Sequence, residues 1–161
     1  MNSKKKNFKW LIWSTVGVGV VALALFVFML MYVASYQDNF RSFERSIQNL
    51  PEVAEVLEFS RFTGTDEYFV AKVRRTDEET YYYFIKDEIV AHQFPSHEFI
   101  TMEEAQSIAL SVTESRTLVT KSLGMYFEDP IYEFKFRVNQ GVEYVIINAI
   151  TGEVILQFIF N

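Results

Sequence analysis

The sequence predicts an α+β chain in which an N-terminal transmembrane helix precedes two tandem repeats, each a helix followed by an antiparallel sheet. Three observations support this class. One long apolar stretch lies near the N-terminus, helical spacing of apolar residues occurs twice, and short strand-like segments separated by polar turns follow each occurrence. The predicted boundaries are a basic tail over residues 1–9, the transmembrane helix over 10–36, a first repeat over 37–96 and a second over 97–161.

The apolar stretch runs from Trp10 to Val33, and no charged residue lies between Lys9 and Asp38. As a helix it would rise about 36 Å, which exceeds the roughly 30 Å hydrocarbon core of a bilayer. A cleaved signal peptide is the competing interpretation, but its apolar region is usually about 7–15 residues long. The length therefore favours a retained span.

The charges that flank this stretch predict its orientation. Lys4, Lys5, Lys6 and Lys9 precede it, and positively charged flanks stay on the cytoplasmic side. We therefore expect a single-pass plasma-membrane protein with a cytoplasmic N-terminus and an extracellular C-terminal domain.

The charge of the exported part limits its partners. Four of the 15 Lys and Arg precede the span, so eleven remain against 21 Asp and Glu, a net charge of −10. Such an acidic surface disfavours nucleic acid and anionic lipid as partners. The chain has no cysteine, which excludes both disulfides and a thioether-linked lipid, so the helix must be the anchor.

In the first repeat, apolar residues from Phe40 to Leu50 recur every three or four positions and predict an amphipathic helix. Pro51 interrupts the helix, and we expect a second short helix over Glu52–Glu58 that buries Val53, Val56 and Leu57. Four strands are predicted to follow, over residues 59–62, 68–75, 80–86 and 88–94.

The second repeat opens with a capping box, Thr101 to Glu104, which begins a helix that we expect to end near Val112. Four strands are predicted over residues 117–127, 131–139, 142–150 and 153–160. Their turns are expected at Asp129-Pro130, at residues 139–141 and at Thr151-Gly152.

Two strands, over residues 81–85 and 144–149, are apolar on both faces. A sheet with one face in water should alternate apolar and polar residues, so the second face must also be covered. We expect the sister repeat to cover it, with a partner protein as the alternative. The apolar run Ile155–Phe160 could accept a partner strand or be covered by the first repeat, and we expect the latter.

One segment of the second repeat resembles a known family. Residues 100–105 (ITMEEA), 132–136 (YEFKF) and 144–155 (YVIINAITGEVI) resemble the PepSY module of exported bacterial proteins, with Asn148 where that family commonly has Asp. With the basic tail, the single span and the divergent first repeat, the chain is similar to the TseB (YpmB) family of cell-wall elongation regulators of Gram-positive bacilli. That resemblance implies tandem cystatin-like subdomains and contact with a membrane-bound penicillin-binding protein.

The sequence offers little for catalysis. His92 and His97 have no metal-site spacing, and no nucleophile elbow or glycine-rich phosphate loop is present. We therefore expect no catalytic residue, metal, cofactor or small-molecule substrate, and a protein that is not an enzyme.

Aromatic residues are abundant, and exposed Tyr and Phe are typical of interaction hot spots. Because successive side chains on a strand alternate between faces, one of the pairs Tyr81/Tyr83 and Tyr82/Phe84 should be core and the other available. We predict Tyr82, Phe84, Val145 and Ile147 as partner-binding residues, with packing between the repeats and carbohydrate binding as the alternatives for the aromatic run. Two alternatives stay open: an inhibitor of a secreted protease, which the PepSY resemblance suggests, and a sensor that binds a peptidoglycan fragment.

Overall fold

The structure, a computed structural model, describes residues 17–32 and 43–161, and the chain divides into two compact units, 1–43 and 44–161. In the first unit, residues 17–32 form a helix whose apolar side chains are exposed, Phe28 by 71%. Neither described part contains a helix that is both long enough and apolar enough to cross a membrane. The predicted span extends past both ends of this helix, and its remainder and the basic tail lie outside the described residues.

The second unit consists of two four-stranded antiparallel meanders with helices, which confirms the α+β class and the two successive sheets. The first sheet has the order β1-β2-β3-β4 and the second β5-β6-β7-β8. The strands are β1 (Val53–Thr63), β2 (Glu67–Arg75), β3 (Thr80–Lys86), β4 (Ile89–Pro95), β5 (Leu118–Tyr126), β6 (Asp129–Val138), β7 (Gly141–Asn148) and β8 (Val154–Phe160).

The start of the first sheet differs from its prediction. Residues 43–48 are helical, and Val53 then donates its N–H to the Leu50 carbonyl across a turn that contains Pro51. The predicted helix over Glu52–Glu58 is wrong, because Glu52 lies in the turn and residues 53–58 belong to β1. Two register shifts in the pairing of β1 with β2 each add a residue, so the more buried positions fall at 53, 56 and 59. This three-residue spacing of buried positions, caused by the bulges, resembles the spacing of apolar residues in an amphipathic helix.

The helix of the second repeat (Met102–Val112, called the capped helix below) matches its prediction. The Glu104 N–H donates to the Thr101 hydroxyl oxygen at 3.1 Å, and the Thr101 N–H donates to the Glu104 carboxylate at 2.8 Å. These bonds satisfy two N–H groups that a helix start otherwise leaves unpaired. Ala105 and Ala109 are fully buried against the second sheet.

One predicted turn is misplaced. The chain reverses at Phe127-Glu128, where Phe127 has a positive φ of 55°, and β6 already begins at Asp129. Pro130 is therefore the second residue of a strand and not part of a turn. Proline is tolerated at the beginning of a strand, where few ladder bonds are lost.

The two sheets share one core, which confirms the expectation that each repeat covers part of the other. The ring of Phe62, at the end of β1, lies against Gly124 of β5, where any Cβ would collide with it. The same buried cluster contains Val70 and Phe84 from the first sheet and Met125 from the second. A repeat of this size is marginal alone, so this shared core is what stabilises the pair.

Candidate functional site

Strand β8 is the most exposed regular element of residues 44–161. It forms the outer edge of the second sheet, and all seven of its residues are exposed, Ile159 by 50% and Phe160 by 66%. The expectation that the first repeat covers this run is wrong, because that repeat packs at the β5 end of the sheet. Among the described residues no strand pairs with the free edge of β8, so its outward N–H and C=O groups are available.

An aromatic platform adjoins β8 on one face of the sheet. The rings of Tyr144 and Phe158 stack with centroids 4.9 Å apart and an angle of 8° between their planes. The Lys135 ammonium lies 5.0 Å from the Tyr144 centroid and 3.1 Å from the Glu133 carboxylate. Phe158 is 39% exposed, so part of its ring can contact another molecule.

Hydrogen bonds hold β8 in place from the opposite face. The Gln157 side-chain amide donates to the Glu143 carboxylate at 2.7 Å and to the Val112 carbonyl, at the end of the capped helix, at 3.1 Å. The Thr113 hydroxyl donates to the same buried Glu143. Because buried polar groups with satisfied partners specify a single arrangement, β8 is presented as a rigid edge.

A groove, called the inter-sheet groove below, lies between the two repeats. Its volume is about 640 Å³, and strands β1 to β3 form one wall. The other wall consists of β5, β6 and the beginning of the capped helix. Tyr82, Lys72, Lys121 and Glu103 are among its lining residues.

Two contacts fix the wall formed by the capped helix. The Tyr132 hydroxyl donates to the Ile100 carbonyl at 2.9 Å, and burial raises the pKa of Tyr132 well above its ordinary value. The bonds from the Thr101 backbone and side chain lower the pKa of Glu104, so its carboxylate stays ionised. Tyr132 is therefore a neutral hydrogen-bond donor. Glu104 is an anion whose carboxylate is already hydrogen-bonded to Thr101 at the start of the helix.

The four predicted partner-binding residues lie in different environments. Phe84, Val145 and Ile147 are fully buried in the shared core. Side chains without exposed surface cannot contact a partner in this fold, so we assign these three to packing. Tyr82 is half-buried and lines the inter-sheet groove, where its role as a contact residue stays a prediction.

The reason lies in how exposure varies along β3. Tyr83 and Phe84 point to opposite faces, yet both are buried, whereas Tyr81 and Tyr82 at the strand's beginning are half-buried. Position along the strand, not the face, therefore decides exposure. Phe158 and Phe160 in β8 are more exposed than the aromatic residues of β3, and the apolar C-terminal run was their only signal in the sequence.

Asn148 has a structural role that explains why Asn can stand where the family commonly has Asp. Its side-chain oxygen accepts from the N–H groups of Ile150 and Thr151, each at 2.9 Å. These bonds shape the turn before β8, in which Gly152 has a positive φ of 76°. Any side chain with an acceptor oxygen at this position, Asn or Asp, can form them.

Among the residues that the structure describes, no group of three or more His, Asp or Glu is arranged to hold a metal ion. His92 stacks on Phe94 with centroids 6.4 Å apart, and His97 lies in a 3₁₀ turn, Ser96–Glu98.

Comparisons with known proteins agree with this geometry. The PepSY family model, described as peptidase propeptide and YPEB domain, matches residues 99–158, from just before the capped helix to β8. The YpmB protein from Bacillus subtilis has a similar structure, with a TM-score of 0.60 and 15% identity over 70% of this chain and 91% of that chain. This is a PepSY-containing chain with a YpmB-like fold.

A Clostridium difficile 630 structure also matches, with a TM-score of 0.40 and 14% identity over 76% of this chain and 91% of that one. No curated protein matches the sequence. The PepSY match places the capped helix and β5 to β8 in one domain, of which β8 is the exposed edge.

Proposed function

We propose that this PepSY-containing chain is a non-enzymatic, membrane-anchored extracytoplasmic protein that regulates cell-wall synthesis and cell elongation by contacting a penicillin-binding protein. Strand β8 provides the contact in this proposal. The exposed, apolar and unpaired edge of β8 is the observation that carries it. The YpmB-like fold and the predicted span over residues 10–36 support it.

The chemistry of β8 suits the addition of a partner strand. An edge strand binds an extended segment through main-chain hydrogen bonds, and its side chains add specificity. Covering the half-exposed Leu156, Phe158 and Phe160 would contribute on the order of 1 kcal/mol for each side chain. Since Gln157 already holds β8 in place, little ordering would be needed on binding.

The predicted anchor supports a partner that is itself in the membrane. A span over residues 10–36 would end only a few residues before the helical residues 43–48, which lead into β1. A domain tethered this closely would meet membrane-bound neighbours at a high effective concentration.

In-membrane crosslinking tests the proposal. A photo-reactive amino acid at position 158 should give an adduct with a penicillin-binding protein in intact cells. The same group at position 127 is the matched control, because Phe127 is also exposed, by 74%, but lies in the β5–β6 turn. Adducts of equal yield from both positions, or none with a wall-synthesis enzyme from position 158, would refute the proposal.

A second candidate is inhibition of a secreted protease, which the description of the matching family, peptidase propeptide, favours. The full-length chain in detergent would then slow secreted metalloproteases at stoichiometric concentrations. Unchanged protease rates would exclude this candidate function. They would not affect the interpretation of the crosslinking test.

A further inference from the structure

The inter-sheet groove is built from both repeats and is separate from β8. Lys72 and Tyr82 lie on its first-sheet wall, and Lys121, Leu123 and Glu103 lie on the opposite wall. Its volume of about 640 Å³ lies within the roughly 300–1,000 Å³ of typical small-ligand pockets. A ligand here would touch both sheets.

The charges of the groove fall into two groups. Lys72 lies 3.7 Å from the Glu58 carboxylate, and Arg61 lies 2.8 Å from Glu67, so both cations have an anionic neighbour. Lys121 and Glu103 differ, since neither forms a salt bridge within the described part of the chain. In that part, the Lys121 ammonium donates to the neutral Gln106 side chain, at 3.3 Å.

One cation and one carboxylate thus remain available on the same wall. Glu103 and Gln106 are three residues apart on the capped helix, so they occupy neighbouring positions on one helix face. Lys121, bonded to Gln106, therefore lies about one helical turn from Glu103. A ligand with a single charge would pair with either Lys121 or Glu103 and would leave the other charge without a partner.

Apolar side chains line both walls of the groove beside this charged pair. The rings of Tyr82 and Phe99 pack with centroids 4.7 Å apart, and Val70 and Leu123 also line the groove. Such a surface suits an aliphatic or aromatic side chain. It gives little specificity to a ligand that consists only of hydroxyl groups.

We propose that the inter-sheet groove binds a short peptide with both free termini, whose carboxylate pairs with Lys121 and whose ammonium pairs with Glu103. The apolar side chain of the peptide packs against Tyr82 and Leu123. Binding bridges the two repeats and raises the stability of the domain. This site is independent of the contact proposed for β8.

Calorimetric titration of the full-length chain in detergent tests this proposal, with alanyl-phenylalanyl-alanine as the probe. The peptide with free termini should bind, and its N-acetylated, C-amidated form should bind at least about tenfold more weakly, because two charge-assisted contacts are lost. Lys121→Ala should weaken the free peptide about fivefold and should abolish the preference for a free carboxylate over a C-terminal amide.

Matched controls are Lys86→Ala and Glu153→Gln, which remove a Lys and a Glu outside the groove. Both should bind like the wild type, while Glu103→Gln should remove the preference for a free ammonium. Thermal unfolding of each variant without peptide checks that the fold is kept. Equal affinity for free and capped peptides, equal losses in the controls, or no binding at millimolar peptide would overturn the proposal.

Discussion

Strands β1 and β8 each form the edge of a sheet, but they differ in their charged residues and in the regularity of their pairing. Strand β1 carries Glu55, Glu58 and Arg61, forms ion pairs with its neighbours and has two register shifts. Strand β8 has no charged residue and one register shift, near its beginning. Charges and bulges protect an edge from pairing with other chains. The contrast indicates that β1 is closed to partners and that β8 is available to one.

The largest expected effect is at the end of β1. Phe62 is 2% exposed and packs on Gly124, so Phe62→Ala removes a ring from the contact between the two sheets. We expect the free energy of unfolding to fall by about 3–5 kcal/mol, measured by denaturant unfolding. Phe158→Ala is the control in β8 and should cost less than about 1.5 kcal/mol, because that ring is partly exposed. Equal losses in the free energy of unfolding from the two substitutions would contradict the assignment of Phe62 to the shared core and of Phe158 to an exposed edge.

The second-largest expected effect concerns whether the edge of β8 can contact a partner. Phe158→Lys places a charge on the edge, as natural protected edges do. We expect the yield of crosslinks from position 156 to a penicillin-binding protein to fall about tenfold, equivalent to about 1.4 kcal/mol. Phe127→Lys, which adds the same charge in a turn, should leave the yield unchanged. A full yield from the Phe158→Lys protein would show that β8 is not the contact.

The capped helix supports β8 through the bond from Gln157 to Val112. Thr101→Ala removes the side chain that accepts the Glu104 N–H and should lower the free energy of unfolding by about 1 kcal/mol. Thr101→Ser keeps the acceptor and should restore most of the loss. If the alanine and serine variants unfold alike, the capping bond contributes nothing to the stability of the second sheet.

The same helix predicts a pH dependence. The pKa of Glu104 is lower in the folded chain than in the unfolded chain, so its ionised form stabilises the fold. This contribution is present above the ordinary pKa of Glu and is lost as pH falls through the lowered value. Glu104→Gln should therefore flatten the decline of melting temperature with acidification. A decline as steep as in wild type would exclude this group as its source.

The smallest effect belongs to the charges of β1. Glu58→Gln removes an exposed ion-pair partner of Lys72, so the free energy of unfolding should change by less than about 0.5 kcal/mol. The double change Glu55→Val with Glu58→Val should instead raise self-association, measured by sedimentation. If the doubly changed chain stays monomeric, charge is not what closes the β1 edge.

Local signals in the sequence account for much of this fold. The bounds of β3 follow from the polar turns on either side of an apolar run, and those of the capped helix follow from a capping box, since both signals depend on nearby residues. The beginning of β1 could not be predicted, because its bulges depend on pairing with β2. Long-range packing also decides the burial of Phe84 and the exposure of β8, and it brings Lys72 and Lys121 to the two walls of one groove. No local pattern encodes those outcomes.

Hydrogen–deuterium exchange tests the central claim, that β8 receives a partner strand, most directly. The full-length chain and a membrane-bound penicillin-binding protein would be studied together in lipid nanodiscs, with binding verified separately. The account predicts that exchange slows at the β8 amides that face away from β7, while β1 exchanges as in the free chain. Binding that leaves β8 exchange unchanged, or that protects β1 instead, would contradict it.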